Sequence, residues 1–514
     1  MRDLVVHEIL ADAAYQHSST PIISGGTRLT YASLYERAVR LAESLTRLGM
    51  TRGTVVGVMD VNSHRYLELT YALSMVGAVI HTINFRLPVT DLLWTIHHAR
   101  DEWLFLGEGF AEPSDTVASA VRQVVWMRDR AASGPGHDYE VLVGDGRCQV
   151  PDVAATVSPS DAYSLFYTTG TTGRPKGLRY THQQMLSGAL QIAHHLALHD
   201  TGATLTADDV IMPCIPFFHI HGWGVPFIAP YVGATLVLPE RGGPAEQRAL
   251  IHQHRVTWSN MVPTQLVMLL DGALEPLNLK ILTGGSPLPS GLARQAERHG
   301  ICFSVIYGGS DQLGSAISTA PGLRGDLRLD ALTSRLTPFP MVRIEVRDAH
   351  GIPVPSDATT VGEVWLQSPW LPNGYVDNPE ASEAAFRDGW FRSGDLATRA
   401  PDGHVAVMDR LNDAIKSGGE WIVSSTVESV ISEVPGVKAV AVVAVPDERW
   451  GERPKAVIVA EPSVGAQEVQ DCLNRAVRAG RLAKFWMPEI IQFVESLPMT
   501  SAGKINKARL RELS

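Results

Sequence analysis

Residues 167–177 read Tyr-Thr-Thr-Gly-Thr-Thr-Gly-Arg-Pro-Lys-Gly and follow a short apolar run, Ala162 to Phe166. Gly170 and Gly173 open backbone conformations that are closed to residues with a Cβ, so successive N–H groups can converge on one anion. Thr168, Thr169, Thr171 and Thr172 add hydroxyl donors and Lys176 adds a cation. The functional reading is a phosphate-cradling loop; the bland one is a polar surface hairpin. The spacing is not Gly-x-x-x-x-Gly-Lys-[Ser/Thr], so the segment is not a P-loop.

Outward from this loop the chain alternates between two periodicities. Toward the N-terminus, Thr30 stands before a run with apolar residues at helical spacing that ends at Gly49, which predicts a capped amphipathic helix. A β-branched run at Thr54 to Asp60, a helical pattern from Tyr66 to Val76 and a second apolar run at Ala78 to Ile83 follow. Toward the C-terminus, strands are predicted at Ala234 to Leu238, Val361 to Gln367 and Val440 to Val445. Strand and helix in alternation predict an α/β fold with a mostly parallel, helix-covered sheet. The style changes near Asp409 to Asn412, where a domain boundary is placed.

The bulk numbers restrict the classes of function. A chain of 514 residues exceeds the size at which single cores stop growing. With 45% hydrophobic and 19% charged residues it carries enough apolar surface for real cores. A net charge of −10 disfavours nucleic acid and anionic membrane surfaces as partners and favours a small molecule. Cys148, Cys214, Cys302 and Cys472 form no Cys-x-x-Cys pair, so neither a zinc site nor a disulfide framework is expected. No apolar stretch is long enough to span a bilayer and no cleavable signal pattern follows the N-terminus, so the expected location is cytoplasmic. No heptad or unpaired apolar face fixes an oligomeric state.

Taken whole, the 167–177 string resembles the signature of the adenylate-forming superfamily, which includes acyl-CoA synthetases, peptide-synthetase adenylation domains and firefly-type luciferases. Further segments resemble that family in its own order: Pro216 to Gly224 (P-F-F-H-I-H-G-W-G), Gly284-Gly285-Ser286 and Tyr307-Gly308-Gly309-Ser310-Asp311. Gly389 to Asp395, Asp409-Arg410, Ser417 to Ile422 (S-G-G-E-W-I) and Pro498 to Lys504 (P-M-T-S-A-G-K) continue the series. The resemblance implies a large N-terminal domain of helix-covered sheets with a smaller barrel-like part, residues 1–409. It also implies a small mobile α+β C-terminal domain, residues 410–514.

It further implies ATP-dependent conversion of a small-molecule acid to its acyl-AMP, then transfer to coenzyme A. On the family's pattern, Tyr307 and its glycine neighbour Gly308 lie against adenine, Asp395 holds the ribose hydroxyls and Arg410 contacts ribose or phosphate. Gly284, Gly285, Ser286 and Ser310 border nucleotide and acyl group, Asp311 directs Mg2+, and Lys504 bridges carboxylate and α-phosphate. Gly418, Gly419 and Trp421 belong to the thiol half-reaction, and His219 is the gate of the acyl pocket, with a packed histidine as its alternative. Phe218 and Trp223 point to an apolar acyl or aromatic group.

Two departures bear on mechanism: Ser310-Asp311 stands where the family has Thr-Glu, and Asn412 occupies a hinge position usually aspartate or lysine. They leave open another acid or acceptor, including nitrite activation for diazotisation of an arylamine, carrier-protein loading, or nucleotide binding without turnover.

Overall fold

The computed structural model describes residues 3–110, 116–128, 136–168, 174–272, 275–500 and 503–513. The expected amphipathic helix is Tyr31–Arg47, where the Thr30 hydroxyl accepts the Ser33 N–H and the Ser33 hydroxyl accepts the Thr30 N–H. Leu34, Ala38, Leu41 and Leu45 form its buried stripe. The strand Val55–Met59, the helix His64–Val76 and the strand Val79–Thr82 form a βαβ unit, with Val55 opposite Val79 in parallel register. Gly77 ends the helix at φ +75°, a conformation that favours a residue without a Cβ.

That unit lies within a sheet of seven strands among the described residues. Across it run His137–Asp138, Gln123–Met127, Trp103–Gly107, Val55–Met59, Val79–Thr82, Ala162–Thr168 and Lys176–Thr181. All pairs are parallel except the last, an antiparallel hairpin. A second sheet has fourteen strands among the described residues. Its parallel part includes Val210–Pro213, Trp258–Met261, Lys280–Gly284 and Cys302–Tyr307. From Ala316–Ser318 onward it continues antiparallel through Leu336–Pro338, Val405–Arg410, Trp390–Arg399 and Gly362–Gln367 to Arg343–Arg347.

The third sheet belongs to the C-terminal part and runs Glu420–Ile422, Ile415–Ser417, Gly451–Ala460 and Val437–Asp447, with Ile490–Phe493 beside Gly451–Ala460. The strands expected near Val361 and Val440 form, but antiparallel. Only residues 448–450 join Val437–Asp447 to its partner, far short of the dozen or so residues that a parallel crossover needs. No helix among the described residues is long and apolar enough to cross a membrane.

This topology gathers loops at one place. In open α/β sheets the crevice lies outside the carboxyl ends of the parallel strands. Here Trp258–Met261, Lys280–Gly284 and Cys302–Tyr307 all end at one cleft. The 168/176 hairpin end of the first sheet faces it, and so do Asp395 and Arg410 on the antiparallel part and the segment around Lys504. The large second sheet gives up its last C-terminal residue at Arg410, and the small sheet begins at Ile415.

Candidate active site

The cleft holds about 1100 Å³. Asp395 and Arg410 face each other in register on adjacent antiparallel strands, so their side chains share one face. Arg410 Nε donates to Asp395 Oδ1 at 2.8 Å, and Tyr307 Oη donates to Asp395 Oδ2 at 2.7 Å. Asp395 is only 6% exposed. Burial pushes its carboxyl upward while the Arg410 charge and the Tyr307 hydroxyl oppose the shift. Each carboxylate oxygen retains one further acceptor site, enough for a pair of vicinal hydroxyls.

Gly308 follows Tyr307 where the backbone nearly touches that of Gly314, and a Cβ there would sit 2.4 Å from Gly314 Cα. Gly284 closes its strand in the same way, since a Cβ would meet the Ile306 carbonyl oxygen at 2.5 Å. It packs the strand ends together and lies outside the cleft wall, whereas Gly285 and Ser286 line it. Ser310 lines the cleft too, its carbonyl accepting the Tyr180 hydroxyl at 2.6 Å.

Thr168 and Lys176 are opposite one another at the open end of the hairpin and both line the cleft. The string thus contains a hairpin, as the bland reading held, and that hairpin opens onto the cleft. Thr169, Gly170, Thr171 and Thr172 lie outside the described residues. Lys176 Nζ sits 4.8 Å from the centre of the Tyr375 ring, and Tyr375 Oη donates to Asp311 Oδ1 at 2.7 Å. Burial raises the Asp311 carboxyl, against the pull of that hydrogen bond and of the Arg410 and Lys176 charges. Among the described residues no group of three or more His, Cys, Asp or Glu could hold a metal ion. The single carboxylate of Asp311 is compatible with magnesium, a hard cation that takes one or two carboxylates and fills its remaining places with water and phosphate oxygens.

Lys504 enters the cleft from the small domain. Thr264 donates its hydroxyl to the Gly503 carbonyl, and the Thr500 N–H donates to the Lys504 carbonyl at 2.7 Å. The lysine stem packs on Gly285, at φ +83°, where a Cβ would lie 3.0 Å from Lys504 Cε. Among the described residues no carboxylate forms an ion pair with its ammonium. Burial and the Arg410 charge push Lys504 down to about 8, with Asp395 opposing.

His219 lines the cleft, and burial with Lys504 and Arg86 nearby holds its ring down at about 3, so it is neutral at physiological pH. His221 is the core histidine of the pair: it is fully buried, its Nε2 lies 2.9 Å from Ser164 Oγ, and Tyr163, Phe166 and Phe227 pack around it. Phe218, Ile220, Trp223, Ile192 and Leu313 supply an apolar lining without a charged group of their own.

Three expected residues stand elsewhere. Gly418, Gly419 and Trp421 sit on the hairpin of Ile415–Ser417 and Glu420–Ile422, outside the cleft wall. There the Trp450 ring covers Gly418 and Lys416 lies 5.5 Å from the Trp421 ring. Sequence reasoning missed Tyr375, Thr264 and Arg86. Tyr375 follows an Asn-Gly turn signal at 373–374, but nothing local ties it to Asp311.

The chain matches known proteins along most of its length. Residues 10–376 match the family model described as AMP-binding enzyme, and residues 426–504 match the AMP-binding enzyme C-terminal domain. A long-chain-fatty-acid–CoA ligase of Thermus thermophilus is 36% identical over 505 residues, covering 94% of this chain and 90% of its own length. A medium-chain-fatty-acid–CoA ligase of Ectopseudomonas oleovorans is 32% identical over 539 residues, 99% of this chain and 96% of its own. A solved anthranilate CoA ligase in complex with anthranoyl-AMP superposes with a TM-score of 0.88 at 22% identity, covering 99% of this chain and 97% of that one, a likeness of fold.

Proposed function

The chain belongs to the AMP-binding enzyme family, and from that premise we propose how its residues divide the work of an AMP-forming acyl-CoA ligase. The reaction is ATP-dependent activation of a carboxylic acid to acyl-AMP with release of pyrophosphate, then transfer of the acyl group to coenzyme A. The observation that carries the assignment of roles is the convergence of Lys504, the Asp395–Arg410 pair, Tyr307 and Lys176 on one cleft with an apolar recess.

In the first step a substrate carboxylate oxygen attacks the α-phosphorus and the bond to pyrophosphate breaks. Asp395 holds the ribose hydroxyls, Tyr307 lies against adenine, and Thr168 and Lys176 hold the outer phosphates. Lys504 spans carboxylate and α-phosphate, so two anions approach each other against a fixed cation in a water-poor site. Asp311, positioned by Tyr375, would hold magnesium through a short carboxylate, and bound there the ion supplies charge neutralisation on the phosphate oxygens. His219, neutral, acts as a wall and gate of the acyl recess and transfers no proton in the reaction.

In the second step the thiol sulfur attacks the acyl carbonyl and AMP leaves. Residues 410–514 turn about the 411–414 connection, which contains Asn412, withdrawing Lys504 and bringing Gly418, Gly419 and Trp421 to the thiol. The apolar side chains of Phe218, Ile220, Trp223 and Leu313 along the recess favour a fatty or aryl acid. Four free, widely spaced cysteines fit a reducing cytoplasm.

The test is pyrophosphate release with ATP and magnesium across fatty acids, aryl acids and nitrite, each with and without CoA or an arylamine. Release with a fatty or aryl acid, and acyl-CoA formed only when CoA is present, supports the ligase. Release that needs nitrite and an amine would replace it.

A further inference from the structure

The helix Ser290–Arg298 begins without a cap of its own. Pro289 precedes it, no side chain of its own domain closes its first turn, and that turn contains no acidic residue. The first N–H groups of a helix have no partner within it and carry partial positive charge. Here they meet the other domain. The Ser290 N–H donates to Ser429 Oγ at 3.1 Å and the Gly291 N–H to Ser432 Oγ at 3.0 Å. The Ser290 hydroxyl donates to Glu433 Oε1 at 2.8 Å, and Arg481 fixes that carboxylate from its far side at 2.9 Å.

Ser429 and Ser432 stand at the C-terminal end of the helix Ser424–Ile431. The two helices therefore meet head to tail, amide end against carbonyl end, with Glu433 adding the negative charge that the Ser290 helix lacks. The approach is close enough to exclude a methyl group. A Cβ on Gly291 would lie 1.9 Å from the Ser432 carbonyl oxygen.

We propose that Ser429, Ser432 and Glu433 cap the Ser290 helix across the domain boundary, and that with Gly291 they are positioning residues which hold Lys504 in the cleft for acyl-AMP formation. The inference rests on the ligase reading and on its domain rotation. When the small domain turns, water replaces the cap. The cap thus biases the molecule toward the orientation of the first half-reaction and has no part in the second.

Gly291→Ala separates these effects. The position has an ordinary helical backbone, and alanine is a better helix former than glycine, so the variant folds, while its methyl group wedges the two domains apart. Its acyl-AMP formation, read as decanoate-dependent ATP–pyrophosphate exchange, should fall by about tenfold or more. Decanoyl-CoA formation from supplied decanoyl-AMP and CoA should stay at the wild-type rate. Equal losses in both half-reactions, or no loss in exchange, would overturn the proposal.

A second readout needs no catalysis. Ser290 Oγ and Ser429 Oγ are 2.9 Å apart, so Ser290→Cys/Ser429→Cys places two thiols for a cross-domain disulfide. Mild oxidation should form that bond, identified by peptide mass, and adding Gly291→Ala should slow it severalfold. Cross-linking at the same rate with and without the wedge would contradict the cap. A wild-type protein that exchanges with no acid would sink the ligase reading, and the cross-link comparison would still decide the contact.

Discussion

Lys504 carries the most specific chemical expectation at the scale of single residues. Burial and Arg410 lower it to about 8, and the protonated form is the one that neutralises phosphate. A depressed lysine is charged below its pKa, so kcat/KM for acyl-AMP formation should be flat below pH 8 and fall as pH rises through it. No limb between pH 5 and 7 should come from His219, whose ring is already neutral there, and His219→Phe should keep acyl-AMP formation while shifting acid preference. Asp311→Asn should raise the magnesium concentration needed for half-maximal rate by about 10- to 100-fold, with the nucleotide still bound through Asp395; a titration of rate against magnesium reads this directly. Residue types within short strings made most of these groups legible. Tyr375 was not, because its tie to Asp311 spans 64 positions and is made only by the fold.

Secondary elements were legible where periodicity was local. The Thr30 cap and the stripe of Leu34, Ala38, Leu41 and Leu45 are written in sequence spacing and appear as the helix Tyr31–Arg47. Strand direction was not, since Gly362–Gln367 and Val437–Asp447 read like parallel strands and pair antiparallel through connections that periodicity does not encode. Neither was the partner of Glu68, which is fully buried on His64–Val76 and held by Arg37 Nε at 2.7 Å and Tyr139 Oη at 2.7 Å. Arg37→Ala leaves that carboxylate in the core with the tyrosine alone. It should cost about 3 kcal/mol in denaturant unfolding, toward the lower end for breaking a buried pair because Arg37 is partly exposed. A loss within experimental error would mean that Glu68 is protonated and its pairing adds little.

For the whole molecule, the sequence carried the order of the segments but not which of them share a cleft. Lys504 meets Gly285, and its neighbour Gly503 accepts from Thr264, while Gly418, Gly419 and Trp421 stand outside the cleft wall. On the proposed division of labour the two groups serve the reaction in different orientations of the small domain, and a linear pattern contains no information on orientation. Two half-reactions with separate requirements follow. The most direct measurement takes wild type and Lys504→Ala, supplies either decanoate with ATP or preformed decanoyl-AMP, each with CoA, and quantifies decanoyl-CoA by mass spectrometry. Lys504→Ala should lose about 10²-fold or more of the rate from decanoate and ATP, and keep the wild-type rate from decanoyl-AMP. Equal loss from both starting points, or none from the first, would contradict the division of labour between the lysine and the glycine hairpin.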